Sequence, residues 1–328
     1  MKEIEIIRKI ILFVSGISAT AVSFSQTEKQ LMPSDLKQQT IVTEPVTLRK
    51  GFLRVGSMLN YRVADKYFSD DGVKKYYLSN AWGTRTSFNF TLQYGLSDRF
   101  EIEFRGEYMD TRQESEKTEY IASTNTSRSV VTKQKGSGIG DTYLRLRYQL
   151  LPENRYLVSL TGTLQAAIPT GEKNPTDIYS AERYDLPVGQ RNYALSGGFS
   201  GRTVLYPYSF TASLNYVWNF EGSKKFSASD ASEVTFRMGN VIEASAGVNL
   251  HLNDWIVFSN EMLYNRKDKG TINGNTSSLL PESWSLSYEP GLVFQVKRFR
   301  LGESVNIPLK GISIPADPLY MMLIQYIF

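Results

Sequence analysis

The chain has no cysteine, a single histidine and no long hydrophobic run. The first absence excludes a disulfide framework and any thiolate metal site. The second leaves His251 as the one imidazole available to general-base chemistry. After the first 25 residues no segment approaches the roughly 18 consecutive apolar residues that a spanning helix needs, so a helical membrane protein is excluded. An excess of one charge is lacking too. Against 37 Lys and Arg stand 33 Asp and Glu, and a net charge of +4 is too mild to argue for nucleic acid. Metal-ligand clusters, phosphate loops and nucleotide motifs are absent, so no cofactor and no metal is expected.

Aromatic residues, by contrast, are plentiful: 20 Tyr and 17 Phe bring the aromatic share to 12%. Mean hydropathy is nevertheless only −0.29. A transmembrane β-barrel gives this combination, because every second strand residue faces lipid and aromatic girdles mark both interfaces. The first 25 residues read as a secretory signal. Lys2, Arg8 and Lys9 precede an apolar stretch from Ile10 to Val22, and Ser23 and Ser25 suit cleavage before Gln26. Residues 26–49, with Pro33 and Pro45 among Gln, Lys and Thr, read as an extended periplasmic lead-in. Residues 50–328 are then the barrel.

From Gly51 onward the hydrophobic period is two. Phe100, Ile102, Phe104 and Tyr108 alternate with Glu101, Glu103, Arg105 and Glu107. Leu144, Leu146, Tyr148 and Leu150 alternate with Tyr143, Arg145, Arg147 and Gln149. A strand sorts such residues into one apolar and one polar face, where a helix would scatter them. The pattern predicts twelve strands near 51–64, 83–95, 99–109, 139–150, 155–168, 191–203, 207–220, 239–252, 254–265, 283–296, 298–309 and 317–328. Their connections alternate between tight turns, such as Leu96-Ser97-Asp98 and Asn253-Asp254, and long polar loops at 65–82, 110–138, 169–190, 221–238 and 266–282. Short periplasmic turns and long extracellular loops mark an outer-membrane barrel. The expected fold is therefore all-β: one transmembrane, antiparallel, up-and-down barrel of about twelve strands with both termini periplasmic. In hydrocarbon a sheet must close, since each backbone N–H and C=O needs an internal partner.

Alternation places Glu101, Glu103, Arg105, Glu107, Arg145, Arg147, Glu243, Glu261 and Glu289 inward. A lipid-facing Arg or Lys at mid-bilayer costs about 2–4 kcal/mol, which favours that side. These charges either line a polar passage or pair across the lumen and fill it. Glu303 breaks the pattern by falling with Phe299, Leu301 and Val305, and a bulge or register shift near Gly302 is expected to turn it inward. The chain ends Tyr326-Ile327-Phe328, with Met322, Ile324, Tyr326 and Phe328 on one face. A terminal aromatic on such a strand resembles the signal read by the barrel assembly machinery. His251 lies beside the Asn253-Asp254 turn with no Ser-His-Asp arrangement in view, so no catalytic residue and no enzyme is expected.

Gly138-Ile139-Gly140-Asp141 opens strand four, followed by Leu144, Leu146, Arg147 and Tyr148. Strand five ends in Ala167-Ile168-Pro169-Thr170-Gly171. Leu186-Pro187-Val188-Gly189-Gln190 follows, then a strand, then Leu214-Asn215-Tyr216. In order and spacing this succession resembles the meta-pathway of phenol degradation family of transporter-like outer-membrane barrels, best from about 85 to 220. The resemblance implies a bacterial outer-membrane channel or transporter for small molecules, hydrophobic and aromatic compounds among them. It supplies no family-wide substrate residues. The alternatives are a structural or surface-interaction barrel with a closed lumen and, further off, an outer-membrane hydrolase. Outer-membrane lipid and the assembly machinery are the expected partners, with the cargo open.

Overall fold

The computed structural model describes residues 46–77, 81–121, 126–152, 158–171, 176–177, 183–185, 188–189, 192–225 and 232–328. The expected signal segment and the lead-in up to residue 45 lie outside the described residues. Twelve antiparallel strands close into a barrel: β1 Leu53–Ala64, β2 Trp82–Ser97, β3 Phe100–Ile121, β4 Thr142–Leu151, β5 Val158–Ile168, β6 Ala194–Leu205, β7 Tyr208–Asn219, β8 Val241–His251, β9 Ile256–Lys267, β10 Ser283–Val296, β11 Phe299–Ile312 and β12 Leu319–Ile327. Each strand pairs with its neighbours in sequence, and β12 returns to β1 from Arg54↔Ile327 to Arg62↔Leu319. Closure leaves the wall without an edge, as a sheet crossing hydrocarbon requires.

The two faces divide as the period-two pattern dictates. Phe90, Phe104, Tyr108, Leu144, Tyr148, Phe199 and Leu214 are exposed on the outer surface. Glu101, Gln149, Thr161, Arg202 and Asn249 are buried inside. A water-soluble protein does the reverse. At about 25 cal/mol per Å², so much outward apolar area is tolerable only where the surroundings are themselves apolar.

The long polar connections carry strands of their own. β3 continues past the wall and forms a hairpin with an extra strand, Thr126–Ile139, in register from Tyr108↔Ile139 to Ile121↔Thr126. Glu221–Lys224, Val234–Arg237, Thr271–Ile272 and Asn275–Thr276 build a small sheet over Phe236, which is 1% exposed. Lys66–Phe68, Lys74–Tyr76 and Ile314–Pro315 form another. Charged and polar strand segments such as Asp110–Glu116 have no apolar face, so alternation does not announce them.

Glu303 corrects the sequence reading. Gly302 pairs regularly with Val293 on one side and Leu323 on the other. The register shift in the β10–β11 ladder lies instead at Leu286/Ser287. Glu303 therefore keeps its outward position and is exposed between Leu292 and Met322.

Candidate functional site

The lumen has two unlike halves. Toward the short turns it is filled. β3 and β4 run antiparallel with Glu101 opposite Arg147 and Glu103 opposite Arg145. The first pair meets at 2.8 Å with side chains 0% and 2% exposed, while the second, at 3.2 Å, leaves Arg145 25% exposed to the lumen. From these pairs a belt of hydrogen bonds crosses five neighbouring strands. Arg54 donates to Gln93 (2.9 Å), Gln93 to Glu103 (2.8 Å), and Arg145 to both Glu103 (3.2 Å) and Gln165 (2.8 Å).

The chain ahead of β1 completes the filling. Val46, Thr47 and Leu48 are buried, and their polar groups bind to the β3–β4 pair. The Leu48 N–H donates to Glu101 (2.6 Å), Arg147 donates to the Val46 carbonyl (3.0 Å), and the Thr47 hydroxyl donates to Gln149 (3.1 Å). Gly95 permits the approach: a Cβ there would sit 1.9 Å from the Arg49 carbonyl oxygen. Residues 46–49 are thus part of the lumen filling rather than the end of a free lead-in. The sequence offers no sign of this, because Leu48 and Glu101 are far apart along the chain and meet only on closure.

Toward the long connections the lumen opens into a cavity of about 930 Å³. Its wall mixes polar groups with Met58, Val217, Met238, Val241, Leu263 and Ile314. Arg105 reaches over the Tyr143 ring, 4.3 Å from its centre. Glu107 lies 3.9 Å from the Arg85 guanidinium. Glu243 is exposed to the cavity and accepts from Asn215 (2.9 Å) and Asn265 (3.4 Å).

The remaining inward candidates stand apart. Glu261 and Glu289 are register partners on β9 and β10, each 3% exposed. Glu289 accepts from Ser304 (3.0 Å) and Asn306 (3.3 Å). The structure therefore gathers Glu101, Glu103, Arg105, Glu107, Arg145 and Arg147 on β3 and β4 and leaves Glu243, Glu261 and Glu289 elsewhere on the wall. Period two put these nine charges on the polar face but did not single out the guanidiniums of Arg54, Arg202 and Arg300, which are buried as well. Arg54, Gln93 and Gln165 were missed, since one polar residue on a polar face does not declare a bonding role. At the end of β12, Tyr326 and Phe328 pack edge to face at 4.7 Å, and the Phe328 N–H donates to the Leu53 carbonyl (2.7 Å).

Among the described residues, His251 sits 3.3 Å from the Ser209 hydroxyl, a juxtaposition that invites a catalytic reading. Ser209 is 0% exposed and also receives the Asn249 amide at 3.3 Å. A nucleophile needs room for its substrate, and this hydroxyl has none.

The short motifs of the sequence meet at one corner of the cavity mouth. The Thr170 hydroxyl donates to the Gly140 carbonyl (3.0 Å), and the Gly171 N–H to Asp141 (3.2 Å). Gly171 and Gly189 approach so closely that a Cβ on the first would lie 2.7 Å from the Cα of the second. Val188 is buried against Gly138. Glycine is required here by backbone contact, and Asp141 and its neighbours brace the rim.

The fold is similar to that of an outer membrane channel from Pseudomonas putida F1, with a TM-score of 0.66 at 15% identity, covering 87% of this chain and 98% of that one. Weaker likenesses are to the CymD monoaromatic hydrocarbon channel (TM-score 0.45, 10% identity, 85% of this chain and 88% of that one) and to the Ralstonia pickettii toluene transporter TbuX (0.42, 9%, 86% and 90%). No curated protein matches the chain. Residues 115–299, more than half of the sequence and including the motif corner, match the family described by the MetA-pathway of phenol degradation, and the chain belongs to that family.

Proposed function

We propose that this barrel is an outer-membrane channel that admits small hydrophobic or aromatic molecules. The observation that carries the reading is the cavity of about 930 Å³, closed in by an edgeless wall and lined by Met58, Val217, Met238, Val241, Leu263 and Ile314 among its polar groups. An apolar solute loses little on leaving a membrane surface for such a chamber. The family description, with its phenol pathway, agrees with that cargo class. In this reading the short turns and both termini are periplasmic, the long connections face the medium, and residues 1–25 are removed on export. Tyr326 and Phe328 serve as the signal for the assembly machinery. The barrel acts by passage, without chemistry.

The filled half of the lumen favours a second reading, a structural barrel whose interior is closed. Planar-bilayer conductance together with whole-cell uptake separates the two. A channel accelerates entry of an apolar aromatic into cells that produce it, whereas a closed structural barrel neither conducts nor accelerates entry.

A further inference from the structure

The inward acids of β3 are each answered by a guanidinium: Glu101 by Arg147, Glu103 by Arg145 and Glu107 by Arg85. Asp141, just ahead of β4, accepts the Gly171 N–H. These pairings leave Arg105 over. It stands between Glu103 and Glu107 on the same face of β3, yet among the described residues it enters no ion pair and no hydrogen bond, and its Nε is buried without a partner. A buried polar group without a partner is an exception in folded proteins and calls for an explanation. The guanidinium carbon lies 4.3 Å from the centre of the Tyr143 ring, a contact that holds the charge in place without using its N–H donors.

The strand registers set Thr91, Arg105, Tyr143, Ala167 and Ala194 side by side from β2 to β6. All five line the cavity of about 930 Å³. Ala167 and Ala194 carry only a methyl group each, so the wall beyond Tyr143 is low and apolar. On the other side Thr91 brings a hydroxyl. Arg145, whose charge is engaged with Glu103, adds positive field from the neighbouring strand.

A carboxylate can take two parallel bonds from the guanidinium fork. An aromatic ring attached to it would lie along Tyr143 and the alanine strip, where flat apolar surface is offered. Glu103 and Glu107, two residues away on either side, repel a second negative charge, which disfavours phosphate and dicarboxylates. We infer that Arg105 and Tyr143 form a binding site for small aromatic monocarboxylates, the guanidinium holding the carboxylate and the strip beyond Tyr143 the ring. This rests on the channel reading, in which the cavity is open to cargo, and assigns that cargo a charged member and a contact residue.

Titration calorimetry of the intact barrel in detergent micelles tests the site, with sodium benzoate as the probe. Benzamide keeps the shape without the charge, acetate keeps the charge without the ring, and inorganic phosphate raises the charge. The expected result is saturable binding of benzoate, with each of the other three at least about tenfold weaker, the scale of one hydrogen bond to a charged group. Arg105→Gln should weaken benzoate by at least about tenfold as well. Arg112→Gln, which removes an exposed guanidinium bound to Asp110 on the outer face of β3, should leave benzoate binding unchanged. Heat-modifiability on gels checks that the variants fold, and if Arg105→Gln does not, the comparison of benzoate with benzamide on the unaltered barrel decides. Benzoate that fails to saturate, benzamide that binds as well as benzoate, or a folded Arg105→Gln barrel with unchanged affinity overturns the site. Initial rates of benzoate and toluene entry into producing cells separate this inference from the reading beneath it. Binding that depends on Arg105 without faster entry of either compound upholds the site and defeats the channel. Faster toluene entry with benzoate binding indifferent to Arg105 upholds the channel and defeats the site.

Discussion

Arg147→Met tests how the lumen filling is held. The guanidinium is 2% exposed, contacts Glu101 at 2.8 Å and reaches the Val46 carbonyl at 3.0 Å. Removing one member of a buried ion pair costs about 3–5 kcal/mol, because the other charge stays behind in a poor dielectric. Glu101 would keep the Leu48 N–H, a bond to a charged group worth about 1.5–3 kcal/mol, so the lower end of the range is expected. Neutralising the partner as well, with Glu101→Gln, should return part of the loss, since the stranded charge is then gone. Arg145→Gln should cost less than Arg147→Met, because lumen water reaches its side chain. Urea unfolding of the barrel in micelles, followed by tryptophan fluorescence, measures all four proteins. Single-channel recordings of the same set should show larger conductance and a shift toward cations for Arg147→Met, as Val46–Leu48 loses an anchor and Glu101 its counter-charge. A loss below about 1 kcal/mol, the range of an exposed pair, with unchanged conductance and reversal potential would refute this account of the plug.

Three further outcomes follow from the geometry. Leu146→Arg puts a charge on the outer face at a cost of about 2–4 kcal/mol at mid-bilayer and should block folding into vesicles, while Thr163→Arg, which lines the lumen, should fold, as heat-modifiability on gels would show. Gly95→Val should expel the segment before β1, since even its Cβ falls 1.9 Å from the Arg49 carbonyl oxygen, and protease should then cut near Val46 in a barrel that otherwise stays folded. In the Lys66–Tyr76 connection the Ser69 hydroxyl, Lys75 and the Val73 N–H hold the Asp71 carboxyl well below its ordinary range. A depressed carboxyl contributes order above its unfolded value, near pH 4, and loses it as pH falls toward the folded value. Amide signals of Ser69–Val73 should therefore be steady at pH 5 and broaden only below about pH 4, and Asp71→Asn should remove that dependence.

The strands were legible because lipid outside and polar groups inside impose period two on every one of them, Phe100 to Tyr108 being the plainest case. The adjacency of Glu101 and Glu103 to Arg145 and Arg147 was legible as well, since consecutive strands of an up-and-down barrel must pair. Their register was not. It depends on the long hairpin between β3 and β4, whose extra strand Thr126–Ile139 presents no apolar face. The role of Val46–Leu48 was hidden for a different reason: its partners are supplied by strands that reach it only when the barrel closes. Glu303 shows the limit of the cost argument. The expense of a lipid-facing charge led to the expectation of a bulge, yet the regular pairing on both sides of Gly302 keeps the carboxylate outward.

The central claim is passage of small apolar molecules, and uptake of labelled toluene tests it most directly. Cells of a strain with a tight lipopolysaccharide surface, producing this barrel or none, would be compared for initial rates of toluene and of arabinose entry. The account predicts that the barrel accelerates toluene and leaves arabinose nearly unchanged. Equal toluene rates in the two strains, or acceleration of arabinose alone, would contradict it.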